Sequence, residues 1–288
     1  MINMMSTDRD IRTHAMPTSG ALRPYVSALM ATEIVKSGPL PLAIVPHDSF
    51  ILSVQTGRAR DAVEERGALG DNTRLTGIRN WTGAFAGAGN CISMFALLTP
   101  LGSVHLLESQ PLHKVPRIQA QVADLLDRKL TRSLESDIAM ADSLDAKLRA
   151  FAAWLETRAT TNRGLTRAAL RAGRAAMRVC DEPMVSIETL AKEQHVSRRQ
   201  LERDFSQWIG TSPRHLAQVA RVQAVSRKAQ AGASFADIAA DVGFADQAHL
   251  SRVVRELTGL TPRHFTHTRE TGLASAFRHV TGGGTVYL

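Results

Sequence analysis

Apolar positions change their spacing twice along the chain. From Ala21 to about Leu107 they come in short runs, at 42–45, 50–54, 92–98 and 104–107, bounded by Pro39, Pro41, Pro46, Gly57, Pro100 and Gly102. Brief apolar runs punctuated by breakers are how compact strands read, so this region predicts a small β-barrel or sandwich. From Pro116 to about Arg158 the spacing becomes helical. Ile118, Val122, Leu125 and Leu126 open the pattern, and Leu144, Leu148, Phe151 and Leu155 close it. That predicts a helical pair that packs on the barrel, self-associates or passes a signal onward. Thr160-Thr161-Asn162 then reads as linker and N-cap, ahead of a helix with Leu165, Ala169, Ala172, Ala176 and Val179 on one face.

The most informative pattern lies in residues 187–265, which say nearly the same thing twice. The first copy, 187–216, reads IETLAKEQHVSRRQLERDFSQWIGTSPRHL, and the second, 235–265, reads FADIAADVGFADQAHLSRVVRELTGLTPRHF. Each runs from a short helical pattern through a break into a second helix, and stops at Gly-x-Ser/Thr-Pro-Arg-His. Leu190 and Ile238 are 48 residues apart, whereas Leu201 and Leu250 are 49 apart, so the second copy carries one more residue in its turn. A repeat that keeps helix, turn, helix and stop in order is a duplicated supersecondary unit.

In the first copy Ile187, Leu190 and Ala191 give the short helix its buried face, and His195-Val196 is the turn. Ser197 stands at the N-cap with Gln200 completing a capping box. Leu201, Phe205 and Trp208 form a core stripe, leaving Arg199, Glu202, Arg203 and Ser206 outward. In the second copy Phe235, Ile238 and Ala239 start the unit, Gly243 turns it and Asp246 caps the next helix. Leu250, Val254 and Leu257 go inward, while Gln247, Ala248, Ser251, Arg252 and Arg255 face out. Such outward side chains reach base edges in a major groove: Arg pairs with guanine, Gln with adenine, and Ala touches a thymine methyl. The base-reading candidates are Arg199, Glu202, Arg203, Gln247, Ala248, Ser251 and Arg252. Residues 213–230 between the copies predict a helix of roughly 27 Å. It would brace two recognition helices near one turn of DNA apart, about 34 Å. The alternative is a pair of helical hairpins with solvated faces that meet another protein.

These residues resemble the DNA-binding domain of the AraC/XylS family of bacterial transcription regulators. The match is carried by Leu190-Ala191, SRRQLERDF at 197–205, Ser212-Pro213, Ile238-Ala239, Gly243-Phe244, QAHLSR at 247–252 and GLTP at 259–262, and it covers about residues 165–265. The resemblance implies base-facing positions at Arg199, Arg203, Gln247, Ala248, Ser251 and Arg252. It also implies double-stranded promoter DNA as partner, a small-molecule effector at the amino half, and RNA polymerase or a second copy of the chain as further partners. Three positions depart from the family's pattern. His195 stands where a turn glycine is usual, Val254 where a large aromatic is common, and Phe265-Thr266-His267 lacks the aromatic-Arg ending. Up to about residue 158 the chain resembles, much more distantly, the degenerate cupin-like sensor domain attached to some of these regulators.

Charge refines this picture. The net charge is +8, a mild liking for polyanions, yet residues 181–270 are nearly neutral. The surplus sits in Arg163, Arg167, Arg171, Arg174 and Arg178, which line one face of the helix ahead of the first copy. They read either as a solvated basic face or as phosphate contacts, each neutralised phosphate steepening the salt dependence of binding by about 0.9. The phosphate candidates are Arg167, Arg171, Ser197, Arg198, Arg214, Arg255 and Arg263.

Candidate chemistry is sparse. Residues 83–89 are Gly-rich but lack a phosphate-loop order, so a loop or tight strand crossing fits better. His105 and His113 have no neighbouring ligands to complete a metal set, and Cys91 has no base partner. No metal or cofactor is expected. No run approaches a membrane span; the amino end lacks an apolar signal region; and the two cysteines, Cys91 and Cys180, fit a reducing cytoplasm. The expected class is α+β: a small amino-terminal β-barrel or sandwich with a helical extension, then an all-α carboxyl-terminal domain with two helix-turn-helix motifs joined by a linker helix. Expected boundaries are a mobile tail at 1–20, the β-rich domain at 21–160, the DNA-binding domain at 161–270 and a tail at 271–288 whose end, Thr-Val-Tyr-Leu, looks adhesive. The function expected is sequence-specific transcription regulation at the bacterial nucleoid, with no enzymatic step. An enzyme fused to a DNA-binding appendage is the rival, and it would need an acid, base or metal cluster within 21–160.

Overall fold

The structure, a computed structural model, describes residues 11–18, 20–35, 40–44, 46–57, 73–78, 83–87, 91–107, 111–112, 120–122, 125–161, 164–267 and 286–287. Two antiparallel sheets and ten helices account for it, which is the α+β class. The strands are β1 (Ile11–Met16), β2 (Val26–Ile34), β3 (Leu40–Ile44), β4 (Phe50–Gly57), β5 (Thr73–Thr76), β6 (Gly83–Gly87), β7 (Cys91–Leu98), β8 (Ala120–Gln121) and β9 (Val286–Tyr287). A six-stranded sheet runs β1-β2-β7-β4-β5-β8 and a three-stranded one β6-β3-β9. The run 92–98 becomes the central strand β7, paired with β2 on one side and β4 on the other. The Gly-rich segment is strand β6, paired with β3.

Several expectations are corrected. Ile11–Met16 is not tail but the edge strand β1, in register with β2 from Ile11↔Ile34 to Met16↔Leu29. The run 104–107, expected as a strand, lies mostly in helix α1 (Pro100–Leu106). A four-residue apolar run has no period of its own, and here the start signal upstream decides: Thr99 caps the helix, its hydroxyl accepting from Gly102 N–H, and Pro100 opens the first turn. Of the pattern at 118–126, Ala120–Gln121 is strand β8 and Leu125–Leu126 lies in a turn, while Ile118 is outside the described residues; the helix that follows is α2 (Arg128–Met140), capped by Asp127. Helix α3 (Leu144–Thr161) takes in Thr160 and Thr161 of the expected linker, and the N-cap of α4 (Arg167–Asp181) is Thr166, not Asn162. Arg163 and His113 lie outside the described residues. Residues 286–287 at the carboxyl end add to the edge of β3, Ala43↔Tyr287 and Ile44↔Val286.

Helices α2 and α3 are stitched to the sheet, to each other and to α1 by polar bonds inside an apolar setting. Thr73 donates to Glu135 at 2.7 Å, Lys147 Nζ to the Ile138 carbonyl at 2.7 Å and Arg158 Nε to the Leu106 carbonyl at 2.6 Å. His105 is buried, stacked on Tyr25 with ring centroids 4.1 Å apart, and its Nε2 lies 3.0 Å from the Ala159 carbonyl. Among the described residues no His, Cys, Asp and Glu cluster could hold a metal ion, and Cys91 and Cys180 form no disulfide. No described helix is long and apolar enough to cross a membrane.

One apolar cluster joins the amino half to the start of the carboxyl half. Leu29, Phe50, Leu52, Met94 and Phe151 belong to it, and so do Ala172, Val179, Leu201 and Phe205. At its centre α1 is wedged between the start of β2 and α4. Gly102 faces the Tyr25 carbonyl so closely that a Cβ would fall 1.9 Å from the oxygen, and a Cβ on Gly173 of α4 would meet a Val104 methyl at 2.8 Å. A second seam is polar. The loop at 46–49 sends the Pro46 carbonyl to Gln223 Nε2, 2.6 Å, and the Asp48 carbonyl toward Cys180 Sγ, 3.9 Å. Burial pushes the Cys180 thiol well above its ordinary range, helped by Asp48 and Asp181, which makes it a poor nucleophile.

His47 in this loop accepts the Ser49 N–H at Nδ1, 3.0 Å, so its proton sits on Nε2 and its 3.2 Å approach to Asp48 is not an ion pair while the ring is neutral. Burial holds its pKa below the ordinary 6.5, outweighing the upward pull of Asp48, and Arg227 adds to the depression. A folded-state value below the unfolded one means full stability above about 6.5, lost progressively as pH falls below that value toward the depressed one. The thermal midpoint of the native chain is therefore expected to fall between about pH 6.5 and pH 5 more than that of His47→Asn. Parallel curves for the two chains would remove His47 as the cause.

Candidate nucleic-acid interface

The first repeat folds as α5 (Ile187–Glu193) and α6 (Arg198–Trp208), the second as α8 (Phe235–Asp241) and α9 (Gln247–Thr258). The caps read from the sequence are in place. Ser197 Oγ accepts from Gln200 N–H at 3.2 Å, and Asp246 Oδ1 from His249 N–H at 2.6 Å. Each satisfies one of the backbone donors that a helix start leaves open. The reciprocal half of the capping box does not form, because the Gln200 side chain is turned to other partners. Both turns need a left-handed residue: Gly243 supplies it in the second copy at φ 75°, and His195 adopts φ 54° in the first. His195 accepts a conformation that costs a side chain roughly 1–2 kcal/mol, with its ring exposed rather than packed.

Behind these elements the cores differ. Leu201, Phe205 and Trp208 of α6 join the large cluster shared with the amino half, whereas Leu250, Val253, Val254 and Leu257 of α9 close on Ile238, Phe244 and Phe265. Val254 and Phe265, two of the departures from the family pattern, are both fully buried. The strut α7 (Pro213–Gln230) spans the residues expected and feeds both cores, Leu216 into the first and Val219, Val222 and Val225 into the second. Helix α10 (Pro262–His267) brings Phe265 back over α9.

The turn of the second copy is held from α7 and from the loop before α5. Arg221 of α7 donates to the Gly243 carbonyl at 2.6 Å and lies 3.9 Å from the Phe244 ring centroid, a cation–π contact. Met184, in the loop before α5, is so near that a Cβ on Gly243 would fall 2.0 Å from its sulfur.

The outward rows are exposed, not folded against the protein's own body. Arg199, Glu202, Arg203 and Ser206 are exposed on α6, as are Gln247, Ala248 and Arg252 on α9. Ser251 is half-buried and its hydroxyl donates to the Gln247 carbonyl at 2.9 Å, which leaves it an acceptor toward solvent. Arg198 bridges Glu188 at 2.9 Å and Glu202 at 3.0 Å. The hydrogen bond to Glu202 is the main cause of its raised pKa. Arg203 Nη2 donates to Gln200 Oε1 at 2.6 Å.

The phosphate candidates divide. Ser197, Arg214, Arg255, Arg263 and Arg167 are exposed. Arg171 is not a free cation on a basic face: its Nε and Nη2 both reach Asp204 Oδ2, at 2.7 and 2.5 Å, and Asp204 is only 1% exposed. Arg178 is likewise held by Glu182 and Glu193. Sequence reasoning passed over Asp204, although the signal was there. A carboxylate lies inside the stripe Leu201, Phe205, Trp208, and a charge on a core arc requires a buried partner.

The sequence comparisons are local and the structural ones extend over most of the chain. Residues 190–268 match the family model described as a helix-turn-helix domain. The HTH-type transcriptional regulator GbdR of Pseudomonas aeruginosa, in two strains, is 34% identical over 84 residues, 29% of this chain. The chain spans about a quarter, 23%, of the length of these curated relatives. Among solved structures, ToxT from Vibrio cholerae aligns over 89% of this chain and 98% of its own, at 10% identity and a TM-score of 0.43. The AraC-like transcriptional activator CuxR aligns over 68% and 80%, at 12% identity and 0.21. The carboxyl-terminal part of this chain, residues 190–268, is thus a helix-turn-helix domain.

Proposed function

We propose that the chain is a sequence-specific, DNA-binding transcription regulator whose helices α6 and α9 enter successive major grooves of a promoter site. The observation that carries this reading is the pairing of two capped helices, each with its apolar stripe buried and its polar row open to solvent. Arg199, Glu202 and Arg203 on α6, with Gln247, Ala248, Ser251 and Arg252 on α9, read base edges. Ser197, Arg198, Arg167, Arg214, Arg255 and Arg263 meet phosphates, and Arg171 serves the core rather than the backbone of the duplex. The protein works in the cytoplasm at the nucleoid and carries out no chemistry of its own. Residues 21–160 modulate occupancy through a small-molecule effector, and RNA polymerase and a second copy of the chain are the further partners of this reading. The contact of α1 with α4 supports such coupling, since it ties the amino half directly to the first reading head.

The test is selection of bound fragments from random DNA by the full chain, followed by the same selection with Arg203→Ala. The native chain is expected to return one discrete motif. The variant should bind it about 1–3 kcal/mol more weakly, with preference relaxed at one base pair. A native chain that enriches no motif would end the reading in favour of a protein-interaction module, and an unchanged motif in the variant would remove Arg203 from base reading.

A further inference from the structure

Arg203 is exposed, yet its side chain is not loose. Its Nη2 is held by Gln200 Oε1 at 2.6 Å; Gln200 Nε2 donates to Asp204 Oδ1 at 2.7 Å; and the other oxygen of Asp204 takes two bonds from Arg171. We propose that this relay, Arg171–Asp204–Gln200, aims Arg203 before DNA arrives, making Gln200 and Asp204 positioning residues for the base that Arg203 reads. The inference rests on the reading of α6 as a recognition helix.

The chemistry gives the relay a direction. A carboxylate only accepts, so Asp204 must be approached by donors from both sides. Arg171 fills one oxygen from α4, and the other can be filled only by the amide nitrogen of Gln200. That fixes which way the Gln200 amide points and turns its oxygen outward, where only a donor fits, and Arg203 is that donor. The anchor is fixed because Asp204 is buried, while Gln200 is half-buried and Arg203 is exposed, so order is carried from core to surface over two side chains.

Two features suit this arrangement to base reading. Gln200 lies in the first turn of α6, so the tether draws Arg203 back toward the helix start, the end that meets base edges in helix-turn-helix proteins. The tether is also neutral. Arg198 on the same helix is held by two carboxylates, which compete with DNA for its charge. An amide oxygen restrains Arg203 without cancelling its charge and uses one of its five donors, leaving a fork for guanine.

The experiment compares four full-length chains, native, Gln200→Met, Arg203→Ala and the double variant, on the selected site and on a duplex altered at the base pair whose preference Arg203→Ala relaxes. Gln200→Met keeps the length of the side chain and leaves the Arg171–Asp204 pair intact. It should lower discrimination at that base pair roughly 2- to 10-fold, the loss expected when one long side chain must be ordered on binding. Discrimination elsewhere should hold, and in the double variant Gln200→Met should add nothing to Arg203→Ala. Gln200→Glu, which cannot donate to Asp204, cuts the relay at its other link and should cause loss at the same base pair. Uniform loss at all positions, or full additivity of the two substitutions, would overturn the relay while leaving Arg203 as a reader. An Arg203→Ala chain that discriminates like the native one would overturn the base-reading role and the relay together.

Discussion

Replacing Asp204 by alanine is expected to cost about 3–5 kcal/mol of folding stability, because it leaves the Arg171 guanidinium without its anion against the core. Asp204 is 1% exposed and the Arg171 side chain 20%, so the stranded charge gains only partial relief from water and the lower end of that range applies. Urea unfolding followed by circular dichroism reads the loss directly. In a thermal scan the midpoint should drop by about 6–12 °C, taking 2–4 °C per kcal/mol for a body of this size. The control is the double replacement Asp204→Leu with Arg171→Met, which removes both charges and fills the space with apolar atoms. It should recover most of the loss, since a buried pair replaced as a unit is often close to neutral. If single and double variants prove equally unstable, the ion pair is not what the site depends on.

Gly102→Ala is expected to be at least as damaging, about 3 kcal/mol or more, for a steric reason. The added methyl would sit 1.9 Å from the Tyr25 carbonyl oxygen and 2.9 Å from its Cα, and both are backbone atoms that cannot swing aside. Thr99 ties the same place together, with its N–H on the Tyr25 carbonyl at 3.0 Å and its hydroxyl donating to the Pro24 carbonyl at 2.9 Å. Moving α1 outward therefore breaks those bonds and drives Val104 toward Gly173 on α4. Gly77→Ala is the matched control, because its Cβ would find only a Phe50 ring carbon at 3.9 Å. That variant should stay within about 0.5 kcal/mol of the native chain. Equal behaviour of the two alanine variants would mean that α1 is not a wedge.

What could be read from the sequence follows the range of the interactions. The repeats were legible because their signals are local: Ser197 and Asp246 cap helices three residues away, Pro213 opens α7, and apolar stripes recur within a turn or two. Even the oddity at His195 was visible, since the turn demands a left-handed residue whatever its identity. The run 104–107 misled because four apolar residues fit a buried strand and a buried helix equally, and only Thr99-Pro100 upstream distinguishes them. The pattern at 118–126 had helical spacing but no cap, while the cap that mattered, Asp127, stood just beyond it. Arg171 was misplaced for a different reason. Its partner is 33 residues away on another helix, and no local period reports a contact made only once the helices have packed. The partners of the 46–49 loop on α4 and α7 were hidden in the same way.

The unbroken apolar body running from the six-stranded sheet through α4 into α6 limits how the polypeptide can be divided. Severing it between Thr161 and Gly164 would bare the flank of α4 around Gly173 and the bend at Gly210, where Leu112 now rests. A fragment that begins there would carry a greasy scar on its first reading head and would tend to clump through it. The second head, sealed by Phe265 and the far end of α7, would be spared. Shortened versions prepared for DNA work should therefore keep α1, or replace the apolar side chains it shields.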